Sequence, residues 1–233
     1  MLELKLSNNA LYQAFTQRAM CYIATGGADF GECLVTIKKI ADRNVDEWHQ
    51  EWIATASRVE KIGDESLKNG HRISAHEAYL RASNYYHTAY FPLFGYPVDS
   101  RLISAFNKEV EVFQKAASLF KNPIEIIEIP FESATLPAYF LKVDDSGNAR
   151  PTIVYTNVQE MYFAHADAAL KRGYNCLLFD GPGQGRNLIR GNSYLRPDWE
   201  NVVTPVIDYA LTRKEIDQKK IILAGWSFGG FLA

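Results

Sequence analysis

Gly225-Trp226-Ser227-Phe228-Gly229-Gly230 is the stretch of this chain whose residue types and spacing could do chemistry. It reads G-x-S-x-G. A serine hydroxyl in that frame becomes an exposed nucleophile when it sits on a very tight turn between a strand and a helix. The glycines are needed for steric reasons. A side chain at either position would collide with the neighbouring strand or helix. The run Ile221 to Gly225 directly before the serine is apolar and reads as a buried strand, which is the context the turn requires. The backbone N–H of Phe228 falls at the start of the next helix, where unpaired donors and the helix dipole favour negative charge. It is expected to form one half of an oxyanion hole. The second donor is expected from the loop Thr156 to Met161, with the backbone N–H near Val158 as the candidate. The plain alternative is a Gly-rich turn carrying an inert serine.

A serine nucleophile of this kind needs an acid and a histidine, in the chain order Ser, Asp or Glu, His. Only Phe228, Gly229, Gly230, Phe231, Leu232 and Ala233 follow Ser227, and none is an acid or a histidine. His49, His71, His76, His87 and His165 all precede it. His165 reads as a helix-face residue. His71, His76 and His87 lie in a helical region, from which a contact to substrate is conceivable, but none reads as the base. Loss of the base costs on the order of 10⁶ in turnover in serine proteases. A second Gly-rich segment, Asp180-Gly181-Pro182-Gly183-Gln184-Gly185, does not read as a dinucleotide loop. The third glycine of G-x-G-x-x-G would fall at Arg186, and no helix is expected to start there. The segment reads as a tight turn after a parallel strand, at the mouth of the site.

The elements that must position these residues divide the chain in two. The first ~120 residues read as helices. From Asp42 onward, Val45, Trp48, Trp52 and Val59 fall at helical spacing, with Gly63 expected to stop the run. Ser74-Ala75-His76-Glu77 reads as a capping box opening a helix through Tyr79, Ala82, Tyr86 and Ala89 to Pro92. Asp99 or Ser100 is expected to cap another, carrying Phe106, Val110, Phe113, Ala117 and Phe120 and ended by Asn122-Pro123. The period then changes. Ile124 to Phe131 and Leu136 to Val143 read as two strands joined by the turn Glu132 to Thr135. Strand Pro151 to Asn157, helix Met161 to Arg172 with Gly173 as its stop, strand Tyr174 to Asp180, helix Asp198 to Arg213 with a kink at Pro205, and strand Ile221 to Gly225 follow. That alternation predicts a parallel sheet with right-handed crossovers. The expected domains are therefore helical over 1–122 and α/β over 123–233.

Composition bounds the function. The 233 residues carry 25 Lys+Arg against 27 Asp+Glu, a net charge of -2, so nothing marks a nucleic-acid surface. No apolar run approaches the ~20 residues needed to cross a bilayer. The N-terminus mixes charged and polar residues from the start, which argues against a secretory signal and for a cytoplasmic location. Cys21, Cys33 and Cys176 form neither a disulfide framework nor a zinc spacing. No cofactor or metal is expected.

From Arg81 to the end, the chain resembles the α/β-hydrolase family that contains dihydropseudooxynicotine hydrolase, the fungal yellowish-green-pigment polyketide-shortening hydrolases and the fermentation–respiration switch proteins. The matching residues are Arg81-Ala82-Ser83-Asn84-Tyr85-Tyr86, Arg172-Gly173-Tyr174-Asn175-Cys176, the Asp180 to Gly185 segment, Arg196-Pro197-Asp198-Trp199-Glu200, Val203-Thr204-Pro205-Val206, Asp208-Tyr209-Ala210-Leu211 and the serine motif. The resemblance implies an α/β-hydrolase fold, mostly parallel in its sheet and incomplete at the C-terminus, with an N-terminal helical domain packed like a lid over the serine. It also implies hydrolysis of a C–C bond beside a carbonyl, or of an ester, amide or thioester, and often a homodimer. Tyr85, Tyr86 and Trp226 are the candidate contacts to an apolar or aromatic small-molecule substrate. The family pattern of Gly-Gly after the third strand is replaced here by Asn157-Val158. On this reading the chain is the N-terminal part of a longer hydrolase whose acid and histidine lie beyond residue 233, on a continuation or a separate C-terminal chain. The strand before the serine is then left as an apolar edge. The competing reading is a catalytically incomplete module that binds a ligand or a regulatory protein.

Overall fold

The computed structural model describes residues 4–41, 44–191 and 193–233. The chain forms two compact units that divide between Phe120 and Lys121.

The first unit is built from helices α1 (Ala10–Cys21), α2 (Phe30–Ile37), α3 (Val45–Lys68), α4 (Arg72–Tyr90) and α5 (Ser100–Ala117). Side-chain caps start four of them. Asn9, Asp29, Asn44 and Asp99 each accept a backbone N–H from the first turn of α1, α2, α3 and α5. The expected start at Asp42 lies outside the described residues. Gly63 does not stop α3. It lies buried inside the helix, where an added Cβ would come within 2.6 Å of the Tyr79 ring of α4. The glycine serves the close approach of two helices, and the reversal falls instead at Asn69-Gly70, with Gly70 at φ 78°. Because the chain turns there, α4 begins at Arg72 with His71 in the cap position. Ser74 therefore lies within the helix and caps nothing. Trp48, Trp52, Ala56 and Val59 of α3 are fully buried with Ala75, Tyr79, Ala82 and Tyr85 of α4, as the spacing predicts.

The second unit is a five-stranded sheet in the order β1-β2-β4-β3-β5. β1 (Glu125–Phe131) and β2 (Ala134–Leu141) form an antiparallel hairpin in which Phe131 faces Ala134 across the two-residue turn Glu132-Ser133. β2 runs antiparallel to β4 (Asn175–Phe179), while β3 (Arg150–Thr156) runs parallel to both β4 and β5 (Ile216–Ala224). The sheet is thus mixed, its parallel part made by the crossovers that the alternation predicts. After β3 the expected single helix is broken into α6 (Gln159–Met161), a π-helical stretch Tyr162–Ala166 and α7 (Asp167–Leu170). A short α8 (Gly185–Ile189) and α9 (Glu200–Leu211) lead to β5, and α10 (Phe228–Leu232) closes the described chain. α9 runs on through Pro205 without a break. Val202, Val206 and Ala210 of α9, with Trp199, pack on Ile129, Leu136, Phe140, Val154, Leu177 and Phe179 of the sheet. β5 pairs only with β3 among the described residues and stands at the sheet edge. Among the described residues no helix is long and apolar enough to cross a membrane.

Candidate functional site

Parallel pairing sets two segments side by side at the C-terminal end of the sheet. Thr152 pairs with Ile221, Ile153 with Ile222, Val154 with Leu223 and Tyr155 with Ala224. The chain leaving β5 through Gly225-Trp226-Ser227 therefore emerges beside the chain leaving β3 through Thr156-Asn157-Val158. Open α/β sheets place ligands at this end of their strands.

The turn at Ser227 is as tight as the motif demands. Ser227 has φ 55° and ψ -124°, a conformation that an L-residue adopts only under strain, at a cost of about 1–3 kcal/mol. A Cβ on Gly225 would lie 2.0 Å from the Gly229 carbonyl oxygen, and one on Gly229 would lie 2.5 Å from Thr156 Oγ1 on β3. Only bare backbone lets α10 fold this closely over the strand end. The turn is closed by Gly229 N–H donating to Trp226 O at 2.9 Å and Gly230 N–H donating to Ser227 O at 3.0 Å. Ser227 is exposed, and its hydroxyl makes no hydrogen bond among the described residues. Phe228 N–H likewise has no partner among them.

On the β3 side, Thr156 Oγ1 donates to Gly229 O at 3.4 Å, joining strand end to turn. Asn157 is left-handed at φ 82°, and its N–H donates to Phe179 O at 2.7 Å. Val158, expected as the second oxyanion donor, is buried, and its N–H donates to Asn157 Oδ1 at 2.8 Å.

His165 was expected to be an ordinary helix-face residue. The structure places it against the turn. Its ring stacks on Tyr155 at 5.5 Å between centroids, 8° from parallel, and meets the Trp226 ring edge-on at 6.0 Å. Burial holds its pKa below the ordinary histidine value, opposed by the charge of Glu160, so the imidazole is neutral at pH 7. Nothing in the sequence spacing points to this neighbour of the serine, because it arises only from the pairing of β3 with β5. Trp226 itself is 42% exposed beside the serine.

Tyr85 and Tyr86, the candidate substrate contacts, are buried core residues of the helical unit. Tyr85 OH donates to Glu32 Oε2 at 2.8 Å and accepts Asp29 N–H at 2.7 Å, and Tyr86 OH donates to Glu60 Oε2 at 2.7 Å. Their aromatic bodies fill the packing between helices, and their hydroxyls satisfy the half-buried Glu32 and the buried Glu60 carboxylates. The other histidines of that unit are engaged locally. His49 Nδ1 lies 3.2 Å from Ala89 O, His76 Nδ1 3.1 Å from Ala116 O, and His87 Nδ1 3.1 Å from Glu109 Oε1. His71 occupies the cap position of α4.

The Asp180 segment closes on itself. Contrary to expectation a helix, α8, does start at Gly185, because Asp180 Oδ2 accepts Arg186 N–H at 3.1 Å and Asp180 O accepts Asn187 Nδ2 at 2.9 Å. A Cβ on Gly185 would lie 1.9 Å from Asp180 Oδ2. The space over Gly185 is thus filled by the chain's own carboxylate, which would repel a phosphate. Among the described residues no group of three or more His, Cys, Asp or Glu is arranged to hold a metal ion. A cleft of about 590 Å³ is lined by Trp199, Val203, Leu223, Phe228, Phe231 and Leu232, and Ser227 is not part of its wall.

No family model matches the chain. Hydrolase acrC of Aspergillus aculeatus is 36% identical to it over 240 aligned residues, a match covering 93% of this chain and 56% of that protein. The 20-hydroxy-prefusarin hydrolase FUS2 of Gibberella moniliformis is 33% identical over 223 residues, covering 89% of this chain and 52% of its own length. The crystal structure of 2,6-dihydroxy-pseudo-oxynicotine hydrolase superposes with a TM-score of 0.75 at 24% identity, over 90% of this chain and 58% of that one, and so shows the same fold. The chain spans about half the length of the curated relatives it matches. Alpha/beta hydrolase xenA of Xenoacremonium sinensis is 32% identical over 90% of this chain and 52% of its own length, and over that span the chain belongs to the α/β-hydrolase family.

Proposed function

We propose that this chain is the nucleophile-bearing part of a serine hydrolase that cleaves a C–C bond beside a carbonyl, or an ester or thioester, in an apolar or aromatic, polyketide-like small molecule. The observation that carries this reading is the strained, exposed Ser227 with an unpartnered Phe228 N–H beside it. A strained backbone at a solvent-facing serine has no evident packing role and serves to project Oγ. The relative named for 20-hydroxy-prefusarin supports a small organic substrate.

In this reading Ser227 Oγ attacks the carbonyl carbon while its proton passes to a histidine. The carbonyl oxygen becomes an oxyanion held by Phe228 N–H. Collapse expels the leaving group, which takes the proton back from the histidine. With an ester the leaving group is an alcohol. With a ketone it is a stabilised carbanion protonated as it departs. Water then attacks the acyl-serine and releases the acid. The acid and histidine come from sequence beyond Ala233, matching the greater length of the relatives. The 233-residue chain by itself is then inactive. Trp226, beside the serine, supplies the aromatic wall of the substrate site.

The test is labelling of the full-length protein by a fluorophosphonate probe, which forms a covalent bond only with an activated serine. Stoichiometric labelling that disappears in Ser227→Ala, together with a turnover loss on the order of 10⁶, is expected. A full-length protein that folds and binds a ligand but is never labelled would instead favour the binding-module reading.

A further inference from the structure

The serine reading needs a second oxyanion donor, and the expected one is already engaged. Val158 N–H donates to Asn157 Oδ1 at 2.8 Å. A backbone N–H can only donate, so the carboxamide must turn its oxygen toward Val158 and its nitrogen away. Asn157 Nδ2 carries two N–H donors and makes no hydrogen bond among the described residues. The residue is pinned at its backbone as well, with its N–H on Phe179 O at 2.7 Å and φ 82°, a left-handed setting that asparagine tolerates better than most residues. The free end of the carboxamide is therefore held in one direction.

That end stands in the right part of the fold. Tyr155 is paired with Ala224, so Asn157, two residues past Tyr155, emerges abreast of Trp226, two residues past Ala224 and directly before the nucleophile. Thr156 Oγ1 on Gly229 O ties the two segments together across this gap. Asn157 is half-buried, which limits competition from water while leaving its nitrogen reachable.

We propose that the second oxyanion donor is the Asn157 side chain, through Nδ2, opposite Phe228 N–H, with the Val158 N–H spent in orienting that side chain. The proposal rests on the serine hydrolase reading above. It gives the Asn157-Val158 pair a specific role: a side-chain donor does here what a bare backbone donor would do after a glycine.

The test compares Asn157→Asp and Asn157→Gly with wild type in the full-length protein, using 4-nitrophenyl butyrate for turnover and the fluorophosphonate for Ser227. Both substitutions accept a positive φ, and thermal midpoints verify that both variants fold. Aspartate keeps an acceptor for Val158 N–H but lacks the donor. Glycine removes the carboxamide and frees Val158 N–H. A fall in kcat of about 10²–10³-fold for Asn157→Asp and at least about 10-fold for Asn157→Gly, with KM little changed, is expected. The ratio of Asn157→Asp to wild type should also recover as pH falls, because a neutral carboxylic acid O–H can donate in place of the amide. Asn157→Gly within ten-fold of wild type would overturn the proposal, since the backbone N–H then serves and the side chain is only a cap. An unimpaired Asn157→Asp would overturn it too. A wild-type protein that the probe never labels would overturn the serine reading itself, and this proposal with it.

Discussion

At Gly225 there is no room for even one methyl group. Its Cβ position lies 2.0 Å from the carbonyl oxygen and 2.2 Å from the carbonyl carbon of Gly229, and neither atom can yield without unwinding the turn. Gly225→Ala should therefore cost about 1–3 kcal/mol of stability and abolish fluorophosphonate labelling, because relief of the clash moves Ser227 out of its strained setting. Gly229→Ala meets a side chain instead, Thr156 Oγ1 at 2.5 Å, so the double variant with Thr156→Ala should recover most of the loss. Equal losses in the single and double variants, by urea denaturation, would show that Thr156 is not the obstacle. The spacing of the glycines was readable in the sequence. The identity of what each one touches was not, since Thr156 lies on another strand.

Strands and helices were legible where their periodicity is local. The alternation from Pro151 to Gly225 was enough to predict a parallel arrangement, and β3, β4 and β5 are parallel. Misreadings came where a neighbour overrode a local signal. Gly63 reads as a stop, yet Tyr79 of α4 needs the space above it. Ser74-x-x-Glu77 reads as a cap, yet Gly70 turns the chain earlier. The short turn-and-helix after Asp180 has no periodicity at all and depends on a carboxylate folding back on the backbone. β5 carries a physical consequence of its own. It is paired on one side among the described residues, with Ile222 46% exposed and Phe228 and Phe231 exposed beside it. An unpaired apolar edge is a template for another strand. The 233-residue chain should self-associate, and Ile222→Lys should lower the associated fraction in light scattering. Identical scattering from the variant would locate the association elsewhere.

Charge shapes the pH response of the whole molecule. Burial lowers the pKa of His49, His76 and His165 from 6.5, although a backbone carbonyl at His49 and His76 and Glu160 at His165 oppose it. Glu60 lies below 4.5 despite its burial, because Lys115, Tyr86 and Lys108 donate to it. The hydrogen bonds from Arg101 to Asp99 bring that carboxyl from 3.8 to about 2. All of these groups bind protons more readily unfolded than folded, so the sign is common: stability is greatest above the unfolded values and falls as pH drops. The urea midpoint should decline below pH 6.5 through the histidines, and again below about pH 4.5 toward 2 through the carboxyls. His76→Gln should flatten the first decline. A midpoint that rises between pH 7 and pH 5 would contradict this.

Periodicity, turn residues and motif spacing act between residues close in the chain, and from these the primary structure established a helical first half, an α/β second half and the serine at the strand-to-helix turn. Contacts made across the fold lie outside that reach. Tyr155 beside Ala224, His165 against Trp226 and the Tyr85 and Tyr86 hydroxyls on the Glu32 and Glu60 carboxylates all join residues far apart in sequence. The engagement of Val158 N–H by its own neighbour is a local bond, but it depends on Asn157 holding a left-handed backbone, which the strand end and Phe179 O impose. Folding brought those groups together, because strand pairing and burial are global choices that no short window of sequence contains.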